Sequence, residues 1–187
     1  AGNEKAFDDA INTVNSASEG EYVISLTGNV EISGATIQSR CPVTILGNGH
    51  TLTVWGSIQV AKGAQVKLGS DDGNVLKIRG TENGEEPGLL EIKGTCEMYP
   101  NVSLSGRVGN NQFGGGVIEN CGIKDGSVCY GGGVAVVYGG QFIMDGGEIK
   151  DCYADSDASI HFNHPLGFTG IGGGVFVSGG SSFVMNG

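Results

Sequence analysis

Apolar residues recur at every second position in two matching segments near the end of the chain. Residues 131–152 read GGGVAVVYGGQFIMDGGEIKDC, and residues 172–187 read GGGVFVSGGSSFVMNG. Alternation with a period of two is typical of a β-strand that turns one set of side chains to a core. We therefore expect the repeated positions to face inward and to be buried: Val134, Val136, Phe142, Met144, Val175, Val177, Phe183 and Met185.

Glycines separate these short apolar runs. We align the glycine pair 139–140 with the pair 179–180, and Asp145 with Asn186. Glycine adopts positive φ freely and lets neighbouring backbones approach, so such pairs indicate corners. One unit of 22 residues then holds about three strands and three corners, and it must stack on a copy of itself to bury its inward face. The pattern predicts a β-solenoid.

The rest of the chain fits the same architecture. Residues 4–18 place Phe7, Ala10, Ile11 and Val14 at helical spacing, which predicts a helix that covers the open end of the solenoid. We assign residues 1–19 to this cap and residues 20–187 to an all-β solenoid of about seven coils, at roughly 22 residues a coil.

Composition and charge exclude several classes of protein. The chain has 187 residues with 36 glycines but no collagen-like period, and 39% of its residues are hydrophobic, which argues against disorder. No apolar run approaches the roughly 20 residues that a membrane span needs. The net charge of −10, with ten scattered Lys and Arg residues, argues against a nucleic-acid partner.

The segments TGNVEISGATI, VTILGNGHTLTV and SIQVAKGAQVKLG, followed by GGGV and GGxFxMxGGxIxxC, resemble bacterial surface and secreted proteins of the pectate-lyase-like superfamily. The resemblance implies a right-handed parallel β-helix outside the cell or on the bacterial surface. It implies a non-catalytic, adhesin-like module that binds glycan or host or matrix protein, or that acts as a spacer. The alternative is a polysaccharide lyase or glycoside hydrolase acting on acidic polysaccharide.

An enzyme of the alternative class needs carboxylates brought together on adjacent coils. The acidic candidates are Asp125, Asp145, Glu148, Asp151, Asp155 and Asp157. Asp145 aligns with Asn186, and Asp151 corresponds to Asn120 in the related segments IENC and IKDC. Interchange of Asp and Asn suits a turn better than proton transfer. We therefore predict no catalytic residue.

Residues 153–170 form an insertion, because the two copies begin 41 residues apart and a 22-residue unit leaves 19. Loops on a rigid scaffold are the usual place for binding. The predicted ligand-binding residues are Tyr153, Asp155, Asp157, His161, Phe162, His164 and Phe168. The HxxH spacing of the two histidines suits neither a helix nor a strand, so no metal site is predicted. No cofactor is predicted, although calcium is left open because DSD resembles part of a calcium loop.

The five cysteines are Cys41, Cys96, Cys121, Cys129 and Cys152. Cys121 and Cys152 close matching segments, so we expect them to stack in neighbouring coils, as small apolar thiols in preference to a bridge. The absence of a CxxC motif argues against a zinc ribbon or thioredoxin-type site.

The last coil in the sequence lacks its third strand and a capping helix. We expect these residues to belong to a longer protein, or this end to be covered by a second chain. Four outward residues are expected to form one apolar stripe that favours self-association: Val137, Ile143, Phe176 and Val184.

Overall fold

In a computed structural model, short parallel strands follow a single N-terminal helix. The structure describes residues 1–80, 89–105, 116–118, 129–130, 133–150, 152–154, 170–171 and 174–186. Helix α1 spans Glu4–Ser16. The strands, numbered in chain order, form three long parallel sheets and two further pairs.

Each long sheet contains one strand from each successive coil. Sheet A contains β1 (Tyr22–Ser25), β4 (Val43–Leu46), β7 (Gln65–Leu68), β10 (Thr95–Met98), β15 (Gln141–Met144) and β20 (Ser182–Met185). Sheet B contains β2 (Val30–Ile32), β5 (Thr51–Val54), β8 (Leu76–Gly80), β11 (Val102–Ser105) and β16 (Glu148–Lys150). Sheet C contains β3 (Ala35–Ile37), β6 (Ile58–Val60), β9 (Leu90–Ile92), β14 (Val134–Val136) and β19 (Val175–Val177). The two pairs are β12 (Gly116–Ile118) with β17 (Cys152–Ala154), and β13 (Cys129–Tyr130) with β18 (Gly170–Ile171).

This topology confirms the predicted parallel β-helix. The chain visits sheets A, B and C in turn and then returns to sheet A one layer further along. In the described part of the chain, sheet A has six strands, against roughly seven coils expected. The pairs β12–β17 and β13–β18 lie between sheets B and C in the chain order of the two long coils, where the extra residues were predicted.

The core consists of rows of inward side chains that run through the stack. One row of sheet A is Ile24, Ile45, Leu68, Met98 and Met144, which strand pairing places on successive coils. All five are buried. In the adjacent row, the rings of Phe142 and Phe183 stack with centroids 5.3 Å apart. The period-two pattern therefore built this core as predicted.

An asparagine ladder supports the corner between sheets A and B. Asn48 has a φ of 50° and Gly49 a φ of 84°, which turn the chain sharply. The side chain of Asn74, on the next coil, accepts hydrogen bonds from the amides of Gly47 and Asn48 at 2.8 and 3.1 Å. Its amide group donates to the Asn48 side-chain oxygen at 2.7 Å. The corner thus has partners for backbone groups that no strand pairs.

Helix α1 covers the first coil, as predicted. It starts at Asn3, whose side chain accepts from the Ala6 amide at 2.9 Å, and it ends at Ser16, two residues before the predicted end. Its apolar face buries Phe7, Ile11 and Val14 against the first coil.

The cap also provides hydrogen bonds to the edge of every sheet. At sheet A, the Thr27 amide donates to the carbonyl oxygen of Ala1 at 2.8 Å. At sheet B, the Ser33 amide donates to the Glu4 carboxylate at 3.1 Å. At sheet C, the Asn15 side chain donates to the Thr36 carbonyl oxygen at 2.8 Å and accepts from the Gln38 amide at 2.9 Å. These bonds occupy strand edges that could otherwise pair with another chain.

The burial prediction holds for the first glycine-rich copy and only partly for the second. Val134, Val136, Phe142 and Met144 are buried. Val175 and Phe183 are half-buried, whereas Val177 and Met185 are 40% and 63% exposed. The second copy forms β19 and β20, the outermost described strands of their sheets, so described residues cover it on one side only.

Ala135 was expected to face outward, yet it is 2% exposed. Strand pairing places it between Glu91 and Phe176, and these larger neighbours shield its methyl group.

Two alignments made from the sequence were wrong. The register between the two copies is a constant 41 residues, which places Gly139 with Gly180 and Gly140 with Ser181. Cys152 lies opposite Gly116, not in register with Cys121, which is outside the described residues. The IENC and IKDC segments do not stack on each other, because Ile149 belongs to sheet B and lies opposite Leu104.

The expected apolar stripe is divided between two faces. Ile143 and Val184 are neighbours on sheet A, whereas Phe176 belongs to sheet C and Val137 follows directly on a strand of that sheet. A single flank therefore does not display all four side chains.

Candidate functional site

Most of the predicted ligand-binding residues lie outside the described part of the chain. Tyr153 is in β17, where its backbone pairs with Val117. Asp155, Asp157, His161, Phe162, His164 and Phe168 lie outside the described residues. The binding hypothesis for the insertion thus stays a prediction.

The described carboxylates on the strands are distributed one to a sheet, each beside a cation. Glu97 lies 3.9 Å from Lys67 on sheet A, and Glu148 lies 2.7 Å from Lys150 on sheet B. On sheet C, Glu91 lies 3.2 Å from Lys93. Within the described ranges, no three His, Cys, Asp or Glu side chains are grouped to hold a metal ion.

Asp145 occupies the corner role that its alignment with Asn186 predicted. Its carboxylate accepts a hydrogen bond from the Asn186 side chain on the next coil at 2.6 Å. Gly146 and Gly147, with φ of 146° and 86°, follow it and turn the chain. This carboxylate therefore supports the stacking of two corners.

On sheet A, Lys67 and Glu97 form a small polar cluster with Tyr99. The hydrogen bond between Tyr99 and Glu97 raises the pKa of the Tyr99 phenol, and burial adds to this effect. Tyr99 and then Glu97 raise the pKa of Lys67, because both stabilise its ammonium form. The charges of this face therefore satisfy one another.

The outer face of sheet B differs, because two cations there have no acidic neighbour in register. Lys77 and Arg79 are the exposed residues of β8, between the buried Leu76, Ile78 and Gly80. Hydroxyl residues flank them on both adjacent strands: Thr51 and Thr53 on β5, and Ser103 and Ser105 on β11. We call these six residues the basic strip.

The cations of the basic strip are unpaired in the described part of the chain. Lys5, Lys67, Lys93 and Lys150 each have a carboxylate within 4.0 Å. No described carboxylate lies within that distance of Lys77 or Arg79. The same holds for Arg40 and Lys62, but these two lie singly between sheets C and A, far along the chain from each other. Only the basic strip brings two such cations onto one strand among the described residues.

The single tryptophan stands at one end of this strip. The hydrogen-bond ladder of β5 continues to Trp55, whose amide donates to the Ile32 carbonyl oxygen at 2.9 Å. Trp55 lies two residues after Thr53 and thus on the same outward side, and it is 45% exposed. An indole ring is therefore available beside the hydroxyl and cationic side chains.

A polar groove also lies between the cap and the first coil. Asp8, Asn12, Asn15, Thr36 and Gln38 contribute to its walls, and its volume is about 350 Å³. The Asn15 side chain already bonds the edge of sheet C there, so this groove belongs to the structure of the cap.

The sequence analysis did not single out the basic strip. The run VLKIRG places Lys77 and Arg79 two residues apart, and this spacing alone indicated that they share one face of a strand. The hydroxyl neighbours come from segments about 25 residues away in either direction, and their register was not readable from the sequence.

Comparisons of the chain with protein families, with curated proteins and with solved structures found no match. In the described part, no helix has the length and apolar character required to cross a membrane.

Proposed function

We propose that this chain is a non-catalytic, adhesin-like β-helix module of a secreted or cell-surface bacterial protein, and that it binds glycan on its outer surface. The observation that carries the proposal is the outer face of sheet B. There an exposed indole stands beside hydroxyl and cationic side chains on paired strands. Hydroxyl groups donate and accept hydrogen bonds, as sugar hydroxyls require, and an aromatic ring offers a flat surface to the C–H face of a sugar.

The distribution of carboxylates favours binding over catalysis. Glycoside hydrolysis uses two carboxyl groups about 5–10 Å apart around one bond. Each described strand carboxylate is instead next to a lysine on its own face, and Asp145 bonds a corner asparagine. These contacts give the acidic groups a structural role.

A glycan array probed with the folded chain, with and without calcium, tests the proposal. We expect at least one class of glycan to bind, and Trp55→Ala to weaken that binding about tenfold, as loss of a stacking aromatic does at a binding surface. The matched control is Tyr138→Asn, which removes another exposed aromatic at a positive φ of 53° that asparagine tolerates.

Three outcomes can be separated. Binding that depends on Trp55 and not on Tyr138 supports the proposed site. Binding that Trp55→Ala leaves unchanged supports glycan recognition but places it elsewhere on the chain. Failure of every glycan to bind in both calcium conditions would sink the proposal and leave a protein-binding module or a spacer.

A further inference from the structure

We infer that Lys77 and Arg79 bind the acidic groups of a polyanionic glycan that lies along the basic strip. This inference rests on the proposed function and names the ligand class and the residues that recognise it. The ligand's shared chemistry is a sugar polymer that carries carboxylate or sulfate groups.

The geometry provides two cationic sites at a fixed spacing. Lys77 and Arg79 are separated by one residue on β8, so their Cα atoms lie about 6.6 Å apart on one face. The flanking threonine and serine side chains lie about 4.8 Å to each side. Paired strands on both sides hold β8, so the spacing does not depend on a loop.

The local charge differs from that of the whole chain. The net charge is −10, but exposed charges are largely screened beyond about 10 Å in 0.1 M salt. Glu148 at the far edge of the face is paired with Lys150 at 2.7 Å. Glu31 lies two strands from Arg79, beyond Thr53. An approaching anion therefore meets two cations first, and no described carboxylate competes for them at contact distance.

The two ends of the strip are unequal. Asp71 and Asp72 lie in the turn before β8, at the Lys77 end, whereas Trp55 lies toward the Arg79 end. A guanidinium group also binds carboxylate or sulfate through two parallel hydrogen bonds, which an ammonium group does not. We therefore expect Arg79 to contribute more than Lys77.

A glycan fits this face better than an acidic polypeptide does. The hydroxyl side chains on both flanks match sugar hydroxyls, and the exposed indole matches the apolar face of a sugar ring. Individual exposed ion pairs are weak, so a short ligand should bind weakly and a long polymer more tightly through repeated contacts.

The test uses three dextrans of equal length: unmodified dextran, carboxymethyl dextran and dextran sulfate. Binding is measured by isothermal titration calorimetry at two salt concentrations. We expect one or both charged polymers to bind, dextran to bind far less, and added salt to weaken binding because it screens the charges. Comparison of the two charged polymers distinguishes carboxylate from sulfate recognition.

The decisive variants have the same net charge. The double variant K77Q/R79Q should lower affinity for the bound polymer about tenfold, with R79Q alone having the larger single effect. The control R40Q/K62Q also removes two exposed cations that lack a described partner, but it leaves the strip intact, so its effect should be less than about twofold. Thermal unfolding curves of both variants establish that each is folded.

Equal affinities of the two double variants would overturn the inference, since net charge would then explain the binding. Binding of polyglutamate as strong as that of the charged dextrans would overturn it too, because the ligand class would be wrong. If an uncharged glycan binds in a Trp55-dependent manner while the charged polymers do not, the proposed function stands and this inference fails. If no glycan of any kind binds, both fail.

Discussion

The corner between sheets C and A requires glycine at position 140, because the coil beneath leaves no room for a methyl group. Gly140 is buried, and a Cβ atom there would lie 2.2 Å from the carbonyl oxygen of Ile92 and 3.1 Å from that of Val137. Ordinary contacts of a Cβ atom are 3.4–4 Å. The backbone of one coil must therefore move by about 1 Å to accept alanine.

Such a movement disturbs hydrogen bonds that hold adjacent coils together. The Gly140 amide donates to the Val137 carbonyl oxygen at 3.0 Å, and the Gln141 amide donates to Gly94 on the coil beneath at 2.7 Å. Overpacking typically costs 1–3 kcal/mol, and neither atom of the 2.2 Å contact belongs to a side chain that can rotate away. We expect Gly140→Ala to lower the free energy of unfolding by about 3 kcal/mol and the melting temperature by about 6–12 °C.

Two further glycines separate steric overlap from backbone strain. Gly63 has a φ of 85° and no atom within 4 Å of a built Cβ, so Gly63→Ala tests strain alone, at about 1 kcal/mol. Gly179 has neither feature, so Gly179→Ala should change the free energy of unfolding by less than about 0.5 kcal/mol.

Urea and thermal unfolding, followed by circular dichroism, measure all three variants. A Gly140→Ala protein as stable as the Gly179→Ala protein would refute the close approach of the two coils. A Gly63→Ala protein as unstable as Gly140→Ala would show that backbone strain, and not contact, explains the effect.

Three further predictions concern the cap and the core. Phe7→Ala should lower the free energy of unfolding by about 3–5 kcal/mol in urea titrations, because Phe7 is fully buried against the first coil; a change below about 1 kcal/mol would contradict its place in the core. Asn15→Ala should cost about 1 kcal/mol by the same measurement, because two backbone groups at the edge of sheet C lose their partner, and Asn12→Ala, which no described edge bond involves, is the control. Burial raises the pKa of the Cys96 thiol far above its usual range, so its thiolate is absent near neutral pH; mass spectrometry should find Cys96 unlabelled by iodoacetamide at pH 8 in the native protein and labelled in urea, and rapid native labelling would contradict its burial.

The fold was predictable because its signals are local. Period-two alternation, glycine corners and one helical segment each depend on a few consecutive residues, and each produced the expected element. The errors came from comparing segments across coils. Cys152 was matched with Cys121 by similarity of sequence, whereas strand pairing places it opposite Gly116.

The candidate site was not predictable, because it depends on the register between coils and that register changes along the chain. Tyr22 pairs with Val43, which is 21 residues later, whereas Thr95 pairs with Gln141, which is 46 residues later. Extra residues at the corners alter the offset without altering the stacking. Thr53 and Arg79 are neighbours at an offset of 26, a value that appears in no repeat of the sequence.

The charges of the strands suggest why Arg79 is not explained by stability. On this solenoid, a carboxylate and a lysine separated by one residue form a pair, as Glu91 and Lys93 do at 3.2 Å and Glu148 and Lys150 do at 2.7 Å. The same spacing on β8 places two cations together. Their repulsion at about 6.6 Å amounts to roughly 0.6 kcal/mol in water before screening by salt.

Arg79→Glu would replace this repulsion by the pairing seen on the other strands. We expect the free energy of unfolding to stay the same or to rise by about 0.5 kcal/mol, while affinity for the charged dextran that the native chain binds falls at least as far as in R79Q. Arg79→Gln, which removes the repulsion without adding a pair, should be intermediate in stability. A loss of more than about 1 kcal/mol in Arg79→Glu would show that Arg79 stabilises the fold, and its exposed position would then have a structural explanation instead of a functional one.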